Sequence, residues 1–367
     1  MKLWMALALF LGLGLAIFLL LGVMGEERKL NKTTAVRPPA SLSKDNRLLG
    51  IALTMAEDNN FDNAFAAAQT AGMQVKSFTI NWSDYEIAPA QYQPAADYLA
   101  IANDYYPQRN IPLILVITPV DNVVPVVPGD LRNRTFNDPV LIERFKKFLD
   151  YIFAKIPNVE LHSIFIGSEY DAFLGKDEQK WQQYQVFFKS AKEYIKSKRP
   201  GVPIGVETTI SGFTDPLQKV FVKRLNAAAD VIGVSYYAVN NDMTARDPKV
   251  VHDDFAKLAA EYPDALFIFH QYGYPSSKFL GSSEQKQAEF VQETFNAWRN
   301  FPQIKVINFT WLHELPTQEV ERFAAFYGAN ENQPFKEFLG SLGLRTYEGK
   351  DKPAFRVLKA NVDVKRW

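Results

Sequence analysis

The sequence predicts an α/β fold, a single (β/α)8 TIM barrel preceded by an N-terminal hydrophobic helix. Three observations predict it. From Leu48 onward, eight short apolar runs alternate with amphipathic stretches, the rhythm of repeated strand–helix units. Polar and aromatic residues gather at the C-terminal end of nearly every run, where a barrel of this kind collects its chemistry, while the run starts are plain. No Gly-rich phosphate loop is present, which weighs against a doubly wound nucleotide-binding sheet.

The elements follow in chain order. Residues 1–25 read as a signal peptide or membrane anchor, because Leu3 to Met24 carry no charge. At ~1.5 Å per residue this run can cross a ~30 Å hydrocarbon core. An uncleaved anchor is favoured by its length, and Val23-Met24-Gly25 offers small residues for cleavage. Either reading places the barrel outside the cytoplasm. Residues 26–46 are polar and contain Pro38-Pro39, a flexible tether. Residues 47–360 form the barrel. Its strands are expected at Leu48–Met55, Val75–Asn81, Ile111–Thr118, Leu161–Gly167, Val202–Glu207, Val231–Tyr236, Leu266–His270 and Val306–Trp311. Helices lie between them. Leu141, Phe145, Phe148, Ile152 and Ile156 recur at three- and four-residue steps, as do Trp181, Tyr184, Phe188, Ala191 and Ile195. Asp138-Pro139 supplies an N-cap followed by proline in the first turn, and Ser283 before Glu284 reads as another helix start.

Composition excludes several functions. Lys+Arg and Asp+Glu are both 41, which gives no electrostatic case for nucleic acid. Without cysteine there is no disulfide, thiolate metal site or cysteine nucleophile. The four histidines form no HxH or HExxH pair, so no metal and no cofactor is expected. Aromatics reach 14%, enough both for a core and for a cleft in which pyranose rings stack.

One carboxylate stands out. Glu169 directly follows the apolar run Ile164-Phe165-Ile166-Gly167, and Tyr170 and Phe173 can desolvate it and raise its pKa, as a general acid requires. A helix-capping or lysine-paired Glu is the plain alternative. Ile166-Gly167-Ser168-Glu169 resembles the strand-four Gly-Asn-Glu motif of the clan-A glycoside hydrolases, where the Glu is the acid/base. Further segments match in order. Trp82-Ser83-Asp84-Tyr85-Glu86 with Gln91-Tyr92 resembles strand two of these barrels. Val231–Tyr237 resembles strand six, whose tyrosine, Tyr237 or Tyr236, would sit beside the nucleophile. Ile268–Ser276 resembles strand seven. Trp311 resembles the strand-eight tryptophan that floors the sugar subsite. Gly343-Leu344-Arg345 through Lys352-Pro353-Ala354-Phe355 is similar to the closing phrase of β-galactanase- and mannanase-like members. The resemblance spans about residues 48–358 and implies a retaining β-glycosidase scaffold.

Two departures bear on activity. The Asn expected before the acid is Ser168. The nucleophile position is Gln271, a neutral amide with the shape of Glu that cannot readily form a glycosyl ester. The resemblance thus implies a barrel that binds a poly- or oligosaccharide and hydrolyses it weakly or not at all. Its cleft would be formed by Glu169 and Gln271 with Trp82, Asp121, Ser168, Tyr236, Tyr237, His270, Trp311 and Glu314. Alternatives stay open: a relocated carboxylate (Glu314, Glu207 or Asp121), attack by a substrate N-acetyl group, or a non-catalytic module tethered to the envelope. The membrane is a partner only if the N-terminal segment is uncleaved.

Overall fold

The computed structural model describes residues 47–363, so the expected anchor and the tether lie outside the described residues. Among the described residues, no helix is long and apolar enough to cross a membrane.

All eight expected strands form, with shifted ends: β1 Leu48–Ile51, β2 Lys76–Asn81, β3 Leu113–Asp121, β4 Leu161–Ser168, β5 in two pieces (Ile204–Gly205 and Glu207–Thr209), β6 Ile232–Tyr237, β7 Phe267–Gly273 and β8 Ile304–Phe309. Every neighbouring pair is parallel. β2 runs beside β3 from Lys76↔Leu113 to Asn81↔Thr118, and β3 lies beside β4. The first piece of β5 joins β4 and the second joins β6. β6, β7, β8 and β1 complete the ring. β1 and β2 meet only at the bridge Gly50↔Val75, which leaves a seam in the wall above it.

Helices cover the outside of the ring as the apolar periodicity requires. In the helix Pro139–Lys155, Asp138 accepts from the Val140 N–H, and Leu141, Phe145, Phe148 and Ile152 are buried. Asp177 caps Glu178–Lys198, which buries Trp181, Tyr184, Phe188, Ala191 and Ile195. Ser283 caps Glu284–Trp298 by accepting from the Lys286 N–H.

The lumen is layered. Val75, Ile114, Val116, Phe165, Val231, Ile268 and Val306 close its lower end. The Phe165 ring lies against strand six, where a Cβ on Gly233 would stand 2.7 Å from it. Above this plug the inward positions become polar: Ser77, Asn81, Thr118, Ser168, Glu207 and His270, all buried. Beyond β8, the helices Thr317–Phe326 and Gln333–Gly340 build an apolar lobe around Val320, Phe323, Phe338 and Leu339, with Trp311 and Tyr327 packed against it. That lobe forms one wall of the cleft.

Candidate active site

A cleft of about 390 Å³ opens at the C-terminal ends of the strands; its lining includes Asp121, Ser168, His270, Gln271, Trp311 and Tyr327. Local backbone geometry explains how Glu169 comes to its edge. Gly167 has φ +86°, and a Cβ there would stand 2.4 Å from the Tyr184 hydroxyl, so only glycine fits. Glu169 itself is left-handed at φ 48°, a conformation that costs on the order of 1–3 kcal/mol and is found where a side chain must be aimed. Its carboxylate does not cap the following helix Tyr170–Leu174, and among the described residues no lysine pairs with it. Instead Oε1 accepts from Ser235 Oγ at 2.5 Å and Oε2 accepts from Asn122 Nδ2 at 2.5 Å. Burial raises its pKa, and the nearby Glu207 charge adds to this against the lowering effect of those two bonds. A carboxyl held this way stays protonated above the usual range and can donate a proton.

Gln271 owes its position to a bulge. Along β6 and β7 the register runs Val234↔Phe269 and then Ser235↔Gln271, skipping His270. The extra residue turns two consecutive side chains inward, because His270 and Gln271 both reach Glu207. Gln271 Oε1 accepts from the Tyr237 hydroxyl at 3.1 Å. Its Nε2 donates to Ser168 Oγ at 3.2 Å and to Glu207 Oε2 at 3.3 Å. Ser168 immediately precedes Glu169, and Ser235, the donor to Glu169, is the register partner of Gln271. The acid and the amide are therefore linked through two serines. Beneath them Glu207, wholly buried, accepts from Ser168 Oγ at 2.9 Å and pairs with His270 Nδ1 at 2.8 Å. His270 Nε2 in turn bonds the Ser77 hydroxyl.

Asp121 lies beside them on the adjacent strand, as the register partner of Ser168, with the Tyr327 hydroxyl donating to it at 3.3 Å. Burial and the neighbouring Glu169 charge push its pKa up to about 8. Trp311 follows a cis peptide bond from Thr310, is half-buried, and stacks its ring on Phe323.

Seven expected site residues thus gather at this end of the barrel: Asp121, Ser168, Glu169, Tyr237, His270, Gln271 and Trp311. Three do not. Trp82 is wholly buried, its indole N–H donating to Glu86 at 2.6 Å and its ring against Phe145 and Phe148. β2 ends at Asn81, where the sequence placed its end, and the helical turn Trp82–Tyr85 that follows sends the side chain out to the helix layer. Glu86 also pairs with Arg144 at 2.8 Å, so the Trp82–Glu86 segment is a structural clip. Tyr236 points outward and donates to Asp254 at 2.9 Å; of the tyrosine pair only Tyr237 faces Gln271. Glu314 is held at 2.8 Å by the buried Lys352, which also donates to Ser276 Oγ and the Gly343 carbonyl. Of the candidate relocated carboxylates, Glu314 is committed to this clasp and Glu207 is sealed beneath Gln271. Asp121 alone lines the cleft.

Asn122, Ser235 and Tyr327 were not singled out from sequence, though each completes the site. Asn122 adjoins Asp121 and Ser235 adjoins Tyr236 at strand ends already marked as polar, which is the signal that points to them. Tyr327 follows the end of the helix Thr317–Phe326, far along the chain, and carries no such mark. Among the described residues, no cluster of His, Cys, Asp and Glu suits a metal ion.

Solved structures share this architecture. An exo-β-1,4-mannosidase from Opitutaceae bacterium strain TAV5 superposes with a TM-score of 0.66 at 15% identity, covering 87% of this chain and 59% of that one. The chain therefore spans less than two thirds of the mannosidase's length. A GH5_18 variant from Bifidobacterium longum subsp. longum, in complex with Manβ1-4GlcNAc, gives 0.68 at 11% identity, covering 87% of this chain and 78% of that one. A family 39 glycoside hydrolase from Bacteroides cellulosilyticus WH2 gives 0.58 at 11% identity, covering 86% and 64%. No family model matches, and no curated protein matches. The chain shares the α/β barrel fold of these solved structures.

Proposed function

We propose that this chain is an exported, glycan-binding barrel derived from a retaining β-glycosidase scaffold, in which hydrolysis is weak or lost. Glu169 keeps the place and the raised pKa of the acid/base. Gln271 stands where the nucleophile belongs and offers hydrogen bonds to a sugar without a negative charge for an oxocarbenium-like transition state. The observation that carries the reading is the linkage of these two residues: Gln271 donates to Ser168, next to Glu169, and accepts from Tyr237. Trp311 offers an aromatic face at the cleft, and β-linked mannosyl glycans are the first class to try, since two of the neighbours named above are an exo-β-1,4-mannosidase and a GH5_18 protein holding Manβ1-4GlcNAc. The apolar run Leu3 to Met24 would carry the barrel out of the cytoplasm.

The test is a panel of β-linked manno-, gluco- and galacto-oligosaccharides, followed by calorimetry for binding and by chromatography for products. Binding without product supports the reading; absence of binding across the panel refutes it. A second reading rests on Asp121, the one candidate relocated carboxylate lining the cleft. Product formation that Asp121→Asn abolishes would favour it.

A further inference from the structure

The cleft does not stop at the sugar-facing polar layer. Its lining continues through Ala52, Leu53 and Thr54 of the first strand's extension to Phe61, Lys76, Phe78 and Tyr106. Phe61, Phe78 and Tyr106 pack with the core outside the strand ring, so the cavity passes through the seam that β1 and β2 leave open above the Gly50–Val75 bridge. Lys76 sits in that seam. It alternates with Ser77, which faces the lumen and bonds His270, and turns its ammonium back onto the Ser77 carbonyl at 2.5 Å. Only 5% of the residue is exposed.

This lysine has one backbone acceptor for three N–H donors. Among the described residues no carboxylate pairs with it. Buried lysines are ordinarily paired, since an ammonium taken from water without a counter-charge is unfavourable. Elsewhere in this molecule the rule is kept, as Lys352 with Glu314 shows. Burial alone pushes the Lys76 pKa down to about 8. Lys76 is the one lysine or arginine in the lining of this cavity, which also includes Asn59, Asn308 and Gln318 and the carboxyls of Asp121 and Glu319, so an incoming anion would meet a single ammonium in a recess continuous with the sugar cleft.

We propose that the recess between β1 and β2 receives an acidic substituent of the bound glycan, such as a uronate carboxylate, with Lys76 as its counter-charge. The inference deepens the carbohydrate reading above and rests on it. The hydrogen-bonded ion pair would form inside a preformed cavity, where charge-assisted bonds are strongest.

The experiment compares a β-linked oligosaccharide containing glucuronate with its carboxyl-reduced, neutral counterpart by calorimetry, on the natural protein and on Lys76→Met. Sulfate alone is a third probe. The natural protein should bind the acidic glycan about tenfold or more tighter than the neutral one, and the ratio should collapse to about one in Lys76→Met. The methionine keeps the stem length and removes an uncompensated charge, so the variant should be at least as heat-resistant as the natural chain without ligand. Equal affinity of the natural protein for both glycans overturns the acid recess and leaves the carbohydrate reading standing. Binding of neither overturns both. A preference that survives in Lys76→Met places the acid elsewhere and overturns the assignment, as does full competition by sulfate alone, which would make the recess a simple anion site.

Discussion

Restoring a carboxylate at position 271 is the sharpest perturbation the site offers, and the structure says that one substitution is not enough. In Gln271→Glu the Tyr237 hydroxyl can still donate to Oε1. The amide nitrogen, however, now lies 3.3 Å from Glu207 Oε2, and an oxygen there faces a second carboxylate. Two unit charges at that distance repel by about 5 kcal/mol at an effective dielectric of ~20. At ~1.36 kcal/mol per pKa step, the new nucleophile would titrate three to four steps higher than an ordinary Glu unless His270 relieves it. It would then ionise only at higher pH than an ordinary Glu, in conflict with the need for Glu169 to keep the proton it must donate. Changing Glu207 to Gln removes the repulsion and leaves an amide that can still accept from His270 and donate to residue 271. Release of 4-nitrophenol from aryl β-mannoside and β-glucoside, followed in buffers from about pH 4 to 9, reads the outcome. Gln271→Glu should exceed the natural chain by about tenfold or more, with an alkaline-shifted optimum. The double variant Gln271→Glu/Glu207→Gln should exceed the single one by about tenfold again, with its optimum moved toward acid. A folded double variant no faster than the natural protein, or a single variant faster than the double, refutes the reasoning.

Three further outcomes follow from the same geometry. Asp121, at about 8, and Asp171, raised to about 7 chiefly by burial, hold protons in the folded chain that an unfolded chain releases near 4. Their contribution to stability is complete below that value and is lost as pH rises through 7 to 8, so urea midpoints should fall between about pH 5 and about pH 8.5; Asp121→Asn should flatten the fall, and an unchanged slope would contradict the shift. Trp82→Ala should cost about 3–5 kcal/mol of stability and leave glycan affinity of the folded protein intact, whereas Trp311→Ala should lower glycan affinity and, because its ring is only half-buried, cost less stability than Trp82→Ala; denaturation and calorimetry on both variants separate the core tryptophan from the cleft tryptophan. Removing Glu314 leaves the buried Lys352 ammonium unpaired, so Glu314→Ala should cost about 3 kcal/mol by denaturation, and any hydrolysis the natural chain shows should persist, since this carboxylate serves the C-terminal clasp.

The strand–helix rhythm made the barrel legible because burial on both faces of a parallel strand writes a continuous apolar run, and polar run ends marked the functional face. The site was legible where a polar or aromatic residue directly follows an apolar run, as for Glu169, Asp121 and Trp311. It was not legible where backbone detail decides direction. Trp82 leaves the cleft because a helical turn, Trp82–Tyr85, begins directly after the strand end at Asn81. Gln271 shares the lumen with His270 only through a bulge that no periodicity announces. Tyr236 and Tyr237 alternate, and a slip of one residue would exchange their roles. The Glu314–Lys352 clasp joins segments that only the folded chain brings together. Lys76 is the clearest case: a lysine in an apolar strand reads as a surface residue, and its burial depends on β1 and β2 parting above a single bridge.

Covalent trapping tests the central claim most directly, that residues 169 and 271 face one another across a sugar. Gln271→Glu/Glu207→Gln, incubated with a 2-deoxy-2-fluoroglycosyl fluoride of a β-linked sugar the protein binds, should gain the mass of one fluoroglycosyl group, on the peptide containing residue 271. Adding Glu169→Gln should leave that adduct forming and slow its turnover. No adduct on the folded protein, or an adduct mapped to Asp121, would contradict the account.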